Sequence, residues 1–148
     1  RIIVKDATRF IRLKVINALS GNVSHGGSNV PVYNRVPSDA TFPYIRVYSV
    51  STSQIDDNQT KYNADIITRV EVVTRFSADS GGDLTMNDIM DDCLQLLISK
   101  NSSAFDLSAN NFKVYSTTNE SLRYLQEDLI DHTYFRAILE MSNKVAEV

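Results

Sequence analysis

Alternation of apolar and polar residues is the clearest pattern in this chain, and it is strongest in the segment from Ile66 to Phe76. Side chains that alternate with a period of two point to opposite faces of a sheet, so this segment is predicted to be a strand. A second extended segment, Pro43 to Ser51, precedes it and is rich in β-branched and aromatic residues. We expect these two strands to pair in antiparallel orientation.

The segment between these two strands is unusually long. It contains eleven mostly polar residues, Thr52 to Tyr62. Connections of about two to five residues are the commonest between paired antiparallel strands. We therefore expect the Thr52 to Tyr62 loop to have a purpose beyond reversing the chain.

Two segments have the periodicity of amphipathic helices. Residues 7 to 20 carry apolar side chains at helical spacing, with Asp6 in position to cap the start and Gly21 in position to end the helix. The segment from Met86 to Leu97 has a continuous apolar stripe with an acidic and amide-rich opposite face. Both segments are predicted to pack against a sheet.

Three further strands are predicted, at Val30 to Pro37, Phe112 to Thr118 and Thr133 to Ser142. The connection from Glu120 to Asp131 is expected to have room for a short helix. The resulting order is helix, three strands, helix and two strands. This order predicts one α+β domain over residues 1–148, with a largely antiparallel or mixed sheet of four to five strands and two main helices on one side.

Composition places the chain among ordinary globular domains, with 43% hydrophobic and 22% charged residues. The formal net charge of -3 argues against binding nucleic acid through a broadly basic surface. The longest apolar runs are far shorter than the ~20 residues that span a bilayer, so no membrane partner is expected. Cys93 lies on the apolar helical stripe and is predicted to be a buried hydrophobic residue.

Candidate chemistry is sparse. Two histidines, His25 and His132, lack the spacing of a zinc site, and no nucleophile motif is present. The glycine-containing loop before the second helix carries Asp79 and Asp83, which would repel a phosphate at that helix end. We therefore expect no catalytic residues, no metal and no cofactor, and we predict that the protein is not an enzyme.

Tyrosine and arginine alternate along two of the predicted strands. Tyr33, Tyr44 and Tyr48, with Arg35 and Arg46, could form a stacking surface for single-stranded nucleic acid. The glycine and aromatic signature of such domains is missing. A half-buried sheet face, whose polar tips reach solvent or a protein partner, is the favoured interpretation.

The layout as a whole resembles the tail terminator, or tail completion, family of long-tailed bacteriophages. The order and spacing of the segments carry the resemblance, more than any single motif. The chain lacks a Trp near Thr74 and has a longer middle loop than the commoner family pattern. The matching segments are Phe10 to Leu19, Val32-Tyr33, Arg35-Val36-Pro37, Phe42-Pro43-Tyr44-Ile45, Thr68 to Phe76, Met86 to Leu97 and Tyr134 to Met141.

The resemblance implies a structural protein of the virion tail or neck, assembled in the host cytoplasm. Family members form a ring, commonly a hexamer, that caps the tail tube and joins it to the head-side connector protein, while DNA passes through the lumen without specific binding. The Thr52 to Tyr62 loop would then contact a neighbouring subunit or ring. The expected contact residues are Asp56, Asp57, Lys61, Tyr62, Arg46 and Tyr48.

Other functions stay open on the sequence. The nearest alternatives are another neck-ring component, such as a head completion or connector protein, and a minor tail protein. An uncharacterised enzyme or binding module is also compatible, because α+β scaffolds host unrelated functions.

Overall fold

The computed structural model describes residues 6–54, 63–77, 81–82, 84–98, 107 and 112–147. Within these ranges the chain forms two helices and seven strands. The helices are α1 (Thr8–Leu19) and α2 (Leu84–Leu97). The strands are β1 (Ser24–His25), β2 (Ser28–Asn29), β3 (Val32–Tyr33), β4 (Tyr44–Gln54), β5 (Asn63–Ser77), β6 (Phe112–Asp128) and β7 (His132–Glu147).

Five of these strands form one sheet in the order β3-β4-β5-β7-β6. The short β3 runs parallel to β4, and the other three pairings are antiparallel. Strands β1 and β2 form a separate two-stranded hairpin. The predicted α+β class and both main helices are confirmed, and the separate β1–β2 hairpin adds two short strands that the sequence did not predict.

The core lies between one face of the sheet and both helices. The burial of β5 alternates up to Val70 as its sequence predicts, with Ile66 and Val70 fully buried, and is then continuous to Thr74. Ile11 of α1 and Ile89 of α2 belong to the same apolar cluster as these strand residues. Each fully buried aliphatic side chain stabilises the fold by roughly 1.5–3 kcal/mol. Both helices therefore cover this face, which we call the helix face, and the opposite side is the open face.

Asp6 caps the amino end of α1 from one residue before the N-cap position, which is Ala7, because the helix begins at Thr8. One carboxylate oxygen of Asp6 accepts a hydrogen bond from the backbone N–H of Thr8 at 2.9 Å and another from the Thr8 hydroxyl. The bond from the Thr8 side chain is the main reason that the pKa of Asp6 lies below its usual value. Such a cap satisfies a backbone donor that the helix cannot use.

The loop between the two predicted strands begins later than expected. Thr52 and Ser53 still belong to β4, opposite Ile66 and Asp65 of β5. The hydroxyl-rich sequence of this strand end hid its pairing, because such residues favour turns when taken alone. The remainder of the loop, residues 55–62, lies outside the described residues.

The connection expected between Glu120 and Asp131 is also corrected. Strand β6 continues to Asp128, and a tight turn leads to β7, with the N–H of Leu129 donating to the carbonyl of His132 at 2.8 Å. No short helix is present in this described segment. The register of β6 against β7 shifts twice, before Ser116 and before Ser121. Each shift breaks the alternation of side chains, so the sequence does not read as one long strand.

Candidate functional site

The open face of the sheet carries a network of ion pairs at its centre. The guanidinium group of Arg69 lies 2.5 Å from a carboxylate oxygen of Glu140, and Arg123 approaches the same oxygen at 3.3 Å. The pKa of Arg69 lies above its usual value. The main cause is its hydrogen bond with Tyr48, and the second is its hydrogen bond with Glu140. These contacts link β4, β5, β7 and β6 across the sheet, so this part of the open face is internally satisfied.

A cavity lies beside this network, between the β3 end and the middle of the sheet. Its volume is about 340 Å³, and it is lined by Asn34, Arg35, Val36, Tyr44, Arg46, Glu71 and Arg136. We call it the arginine pocket. The register of β4 on β5 explains the arrangement, because Arg46 is the direct cross-strand neighbour of Glu71.

The charges in the arginine pocket are unequal. Glu71 is buried and has an ion pair with Arg136, whose guanidinium nitrogen lies 3.4 Å from its carboxylate oxygen. Burial, as the largest influence, raises the pKa of Tyr44, so its phenol stays protonated at neutral pH. Arg35 and Arg46 have no carboxylate partner among the described residues.

Two of the six predicted contact residues lie on the open face and touch each other. The guanidinium carbon of Arg46 is 4.3 Å from the centre of the Tyr48 ring, which is a cation–π contact. Whether they contact another subunit stays a prediction. The other four, Asp56, Asp57, Lys61 and Tyr62, lie outside the described residues.

Glu71 and Arg136 complete the arginine pocket, and neither was predicted from the sequence as a site residue. Each stands in a strand where charged residues are expected on the exposed face. Only the pairing of β5 with β7 brings them together, since Glu71 lies opposite Ile138, next but one to Arg136. The signal that was available is a charged residue of each sign in the two most apolar strands.

The two ends of the five-stranded sheet form a second candidate surface. Strand β6, which is 17 residues long, stands at one end of the strand order. At the other end, β3 pairs only with Ile45 and Arg46 of β4. The side-chain amide of Asn34 satisfies one more carbonyl, that of Val47, at 2.8 Å. No described strand covers β4 beyond this point, so residues 48–54 form a second open edge.

Apolar side chains are exposed near the turn between β6 and β7. Tyr124, Leu125 and Leu129 are each at least half exposed, and Ile130 at the turn is 96% exposed. Grouped apolar residues on a surface commonly mark a contact with another protein. This group lies where the open edge of β6 meets the end of the sheet.

Other chemistry finds little support in the part of the chain that the structure describes. No group of three or more His, Cys, Asp or Glu side chains there is arranged to hold a metal ion. The predicted burial of Cys93 is confirmed, and this burial raises the pKa of its thiol to about 12. Among the described helices, none has the length and apolar character needed to cross a membrane.

No protein-family model matches the chain, and no curated protein matches it. The functional assignment therefore depends on the residues and surfaces described above.

Proposed function

We propose that this chain is the subunit of a ring that caps a phage tail tube and joins it to the head-side connector. The order and spacing of the sequence segments motivate the viral assignment. The single observation that best supports ring formation is the pair of open strand edges at opposite ends of the five-stranded sheet. Unprotected edges expose backbone donors and acceptors, and natural proteins usually cover or pair them.

The directions of the strands make these two edges complementary. Strand β4 is antiparallel to β5, β5 is antiparallel to β7, and β7 is antiparallel to β6. Strands β4 and β6 therefore run in opposite directions. A rotation about an axis parallel to the strands leaves every strand direction unchanged. The β6 edge of one subunit would then meet the β4 edge of the next in antiparallel orientation. Such a head-to-tail contact forms a ring when the rotation closes.

The remaining partners follow from the same assignment. The exposed residues Leu129 and Ile130 of the β6–β7 turn would pack against an adjacent ring in the tail or neck. DNA would pass through the lumen without specific binding, and the protein would have a structural role without catalysis. The Thr52 to Tyr62 loop would take part in contacts between subunits. This role would include its first three residues, which continue β4.

Native mass spectrometry tests the ring, on the protein alone and mixed with the tail-tube protein of the same virus. Two variants place a lysine on an exposed apolar position of each edge, Leu125→Lys on β6 and Val50→Lys on β4. The matched control is Leu84→Lys at the start of α2, an exposed apolar position on the helix that packs over β5 and β7. We expect the control to assemble as the unchanged protein does and each edge variant to remain monomeric.

Mixing the two edge variants gives a sharper result. The Leu125→Lys protein keeps an intact β4 edge, and the Val50→Lys protein keeps an intact β6 edge. The mixture should form dimers with one copy of each variant and no larger species, because every further contact needs a blocked edge. Rings that persist in both variants would contradict the edge pairing. A protein that stays monomeric both alone and with the tail-tube protein present would contradict the proposed function itself.

Another neck-ring component is the second candidate, because it would use the same lateral edges. The partner separates the two functions. A ring that binds purified connector protein and does not bind the tail-tube protein would replace the terminator assignment with a head completion role.

A further inference from the structure

We propose that the arginine pocket is a binding site for a phosphate group. The cavity is large enough for a small polar ligand, and its volume of about 340 Å³ lies within the usual range of ligand sites. It is formed by one chain alone. This inference does not rest on the proposed ring.

The charge balance of the pocket favours an anion. Three guanidinium groups and one carboxylate line the cavity, in a chain whose formal net charge is -3. The Glu71 carboxylate is engaged by Arg136, so it does not neutralise Arg35 or Arg46. Two positive charges are therefore left for a ligand. Clustered arginines with no carboxylate partner are a common signature of phosphate recognition, because the guanidinium fork matches its oxygens.

The donors belong to three separate segments of the chain, which suits a ligand with acceptors on several sides, such as a tetrahedral phosphate. Arg35 follows β3, Arg46 and Tyr44 lie on β4, and Arg136 lies on β7. The protonated phenol of Tyr44 supplies a further donor beside the charged groups. A phosphate monoester presents three terminal oxygens as acceptors, whereas a carboxylate presents two.

Contacts within the protein hold two of the arginines in place before any ligand arrives. The Arg46 guanidinium carbon lies 4.3 Å from the centre of the Tyr48 ring. That of Arg136 lies 5.6 Å from the centre of the Tyr134 ring, and this arginine is also paired with Glu71. Side chains held by such contacts lose less conformational freedom on binding, so more of the interaction free energy appears as affinity.

Titration calorimetry with inorganic phosphate tests the site, with sodium chloride at matched ionic strength as the reference. We expect saturable binding of phosphate to one site, weakened about tenfold or more in Arg46→Gln and in Arg35→Gln, since each removes charged hydrogen bonds to the ligand. The matched control is Arg123→Gln, which changes an exposed arginine of the same open face outside the pocket. The control should bind phosphate as the unchanged protein does.

A second titration, with a short DNA duplex, identifies the source of the phosphate. If the site takes free phosphate, the inorganic ion should bind, and its binding should weaken in Arg46→Gln. The duplex should then bind no more strongly than the ion. Binding of the duplex that depends on Arg46 and Arg35 would assign the site to backbone phosphates instead. The proposal would be overturned if the phosphate titration gave no more heat than the chloride titration. It would also be overturned if Arg123→Gln weakened phosphate binding as much as the pocket variants do. Far-ultraviolet circular dichroism of each variant shows that the fold is retained.

Discussion

Replacement of Gly81 by alanine should destabilise the protein, for two reasons that the structure separates. The backbone of Gly81 has φ of 90°, a conformation that costs a residue with a side chain about 1–2 kcal/mol. A methyl group at this position would also overlap Cγ and Cδ2 of Phe76 and lie 2.8 Å from its Cβ. The ring of Phe76 would have to move, although it packs edge-on against Phe135 with ring centres 5.8 Å apart.

The magnitude follows from these two costs and one offset. Forcing Phe76 away from its preferred rotamer costs about 0.5–1.5 kcal/mol. Alanine also restricts the unfolded chain, which stabilises the folded state by about 0.4–1 kcal/mol. We therefore expect Gly81→Ala to lower the free energy of unfolding by about 0.5–3 kcal/mol.

The neighbouring glycine provides the control. A methyl group on Gly82 meets no atom within 4 Å, so Gly82→Ala should leave the free energy of unfolding unchanged or raise it slightly. Urea denaturation measures both variants, with equal slopes showing that the same surface unfolds. Equal stability of the two variants would refute the reasoning, because it would mean that neither the positive φ nor the contact with Phe76 limits the site.

Two further predictions concern buried groups. Val72→Asp should abolish cooperative folding, because it places a charge at a fully buried position, whereas Val50→Asp at an exposed position of the adjacent strand should fold normally; a cooperative thermal transition in the first variant would show that the assigned face of β5 is wrong. The Cys93 thiol should react with a thiol reagent at pH 8 only after unfolding, since its pKa is about 12 and its side chain is fully buried; rapid labelling without denaturant would contradict this.

Periodicity was enough to predict the helices and the central strands. The alternation in the first half of β5 and the stripe in α2 reflect burial on one side, which dominates local preference. It failed in β6, where two register shifts interrupt the alternation. Periodicity also placed the end of β4 too early, because Thr52 and Ser53 gain their extended conformation from pairing with β5. Pairing is a tertiary effect that local sequence does not encode.

The candidate sites were predicted less completely than the fold. Arg35 and Arg46 stood out because they alternate with tyrosines, but the pocket also needs Glu71 and Arg136 from two other strands. Their proximity depends on the strand order, in which β7 inserts between β5 and β6. Strand order of this kind is not visible in the spacing of residues along one segment.

The central position of β7 has a consequence for the synthesis of the protein. This strand lies beside β5, and the register joins Asn63 to Ala146, so α2 and β6 must both leave the ribosome before the middle of the sheet can close. Until then, β5 can pair only with β4, and half of its hydrogen-bonding capacity is unused. Contacts between such distant segments slow folding and leave strand edges exposed to other nascent chains. Completion of the sheet is therefore a late event, in which β7 inserts beside a strand made long before it.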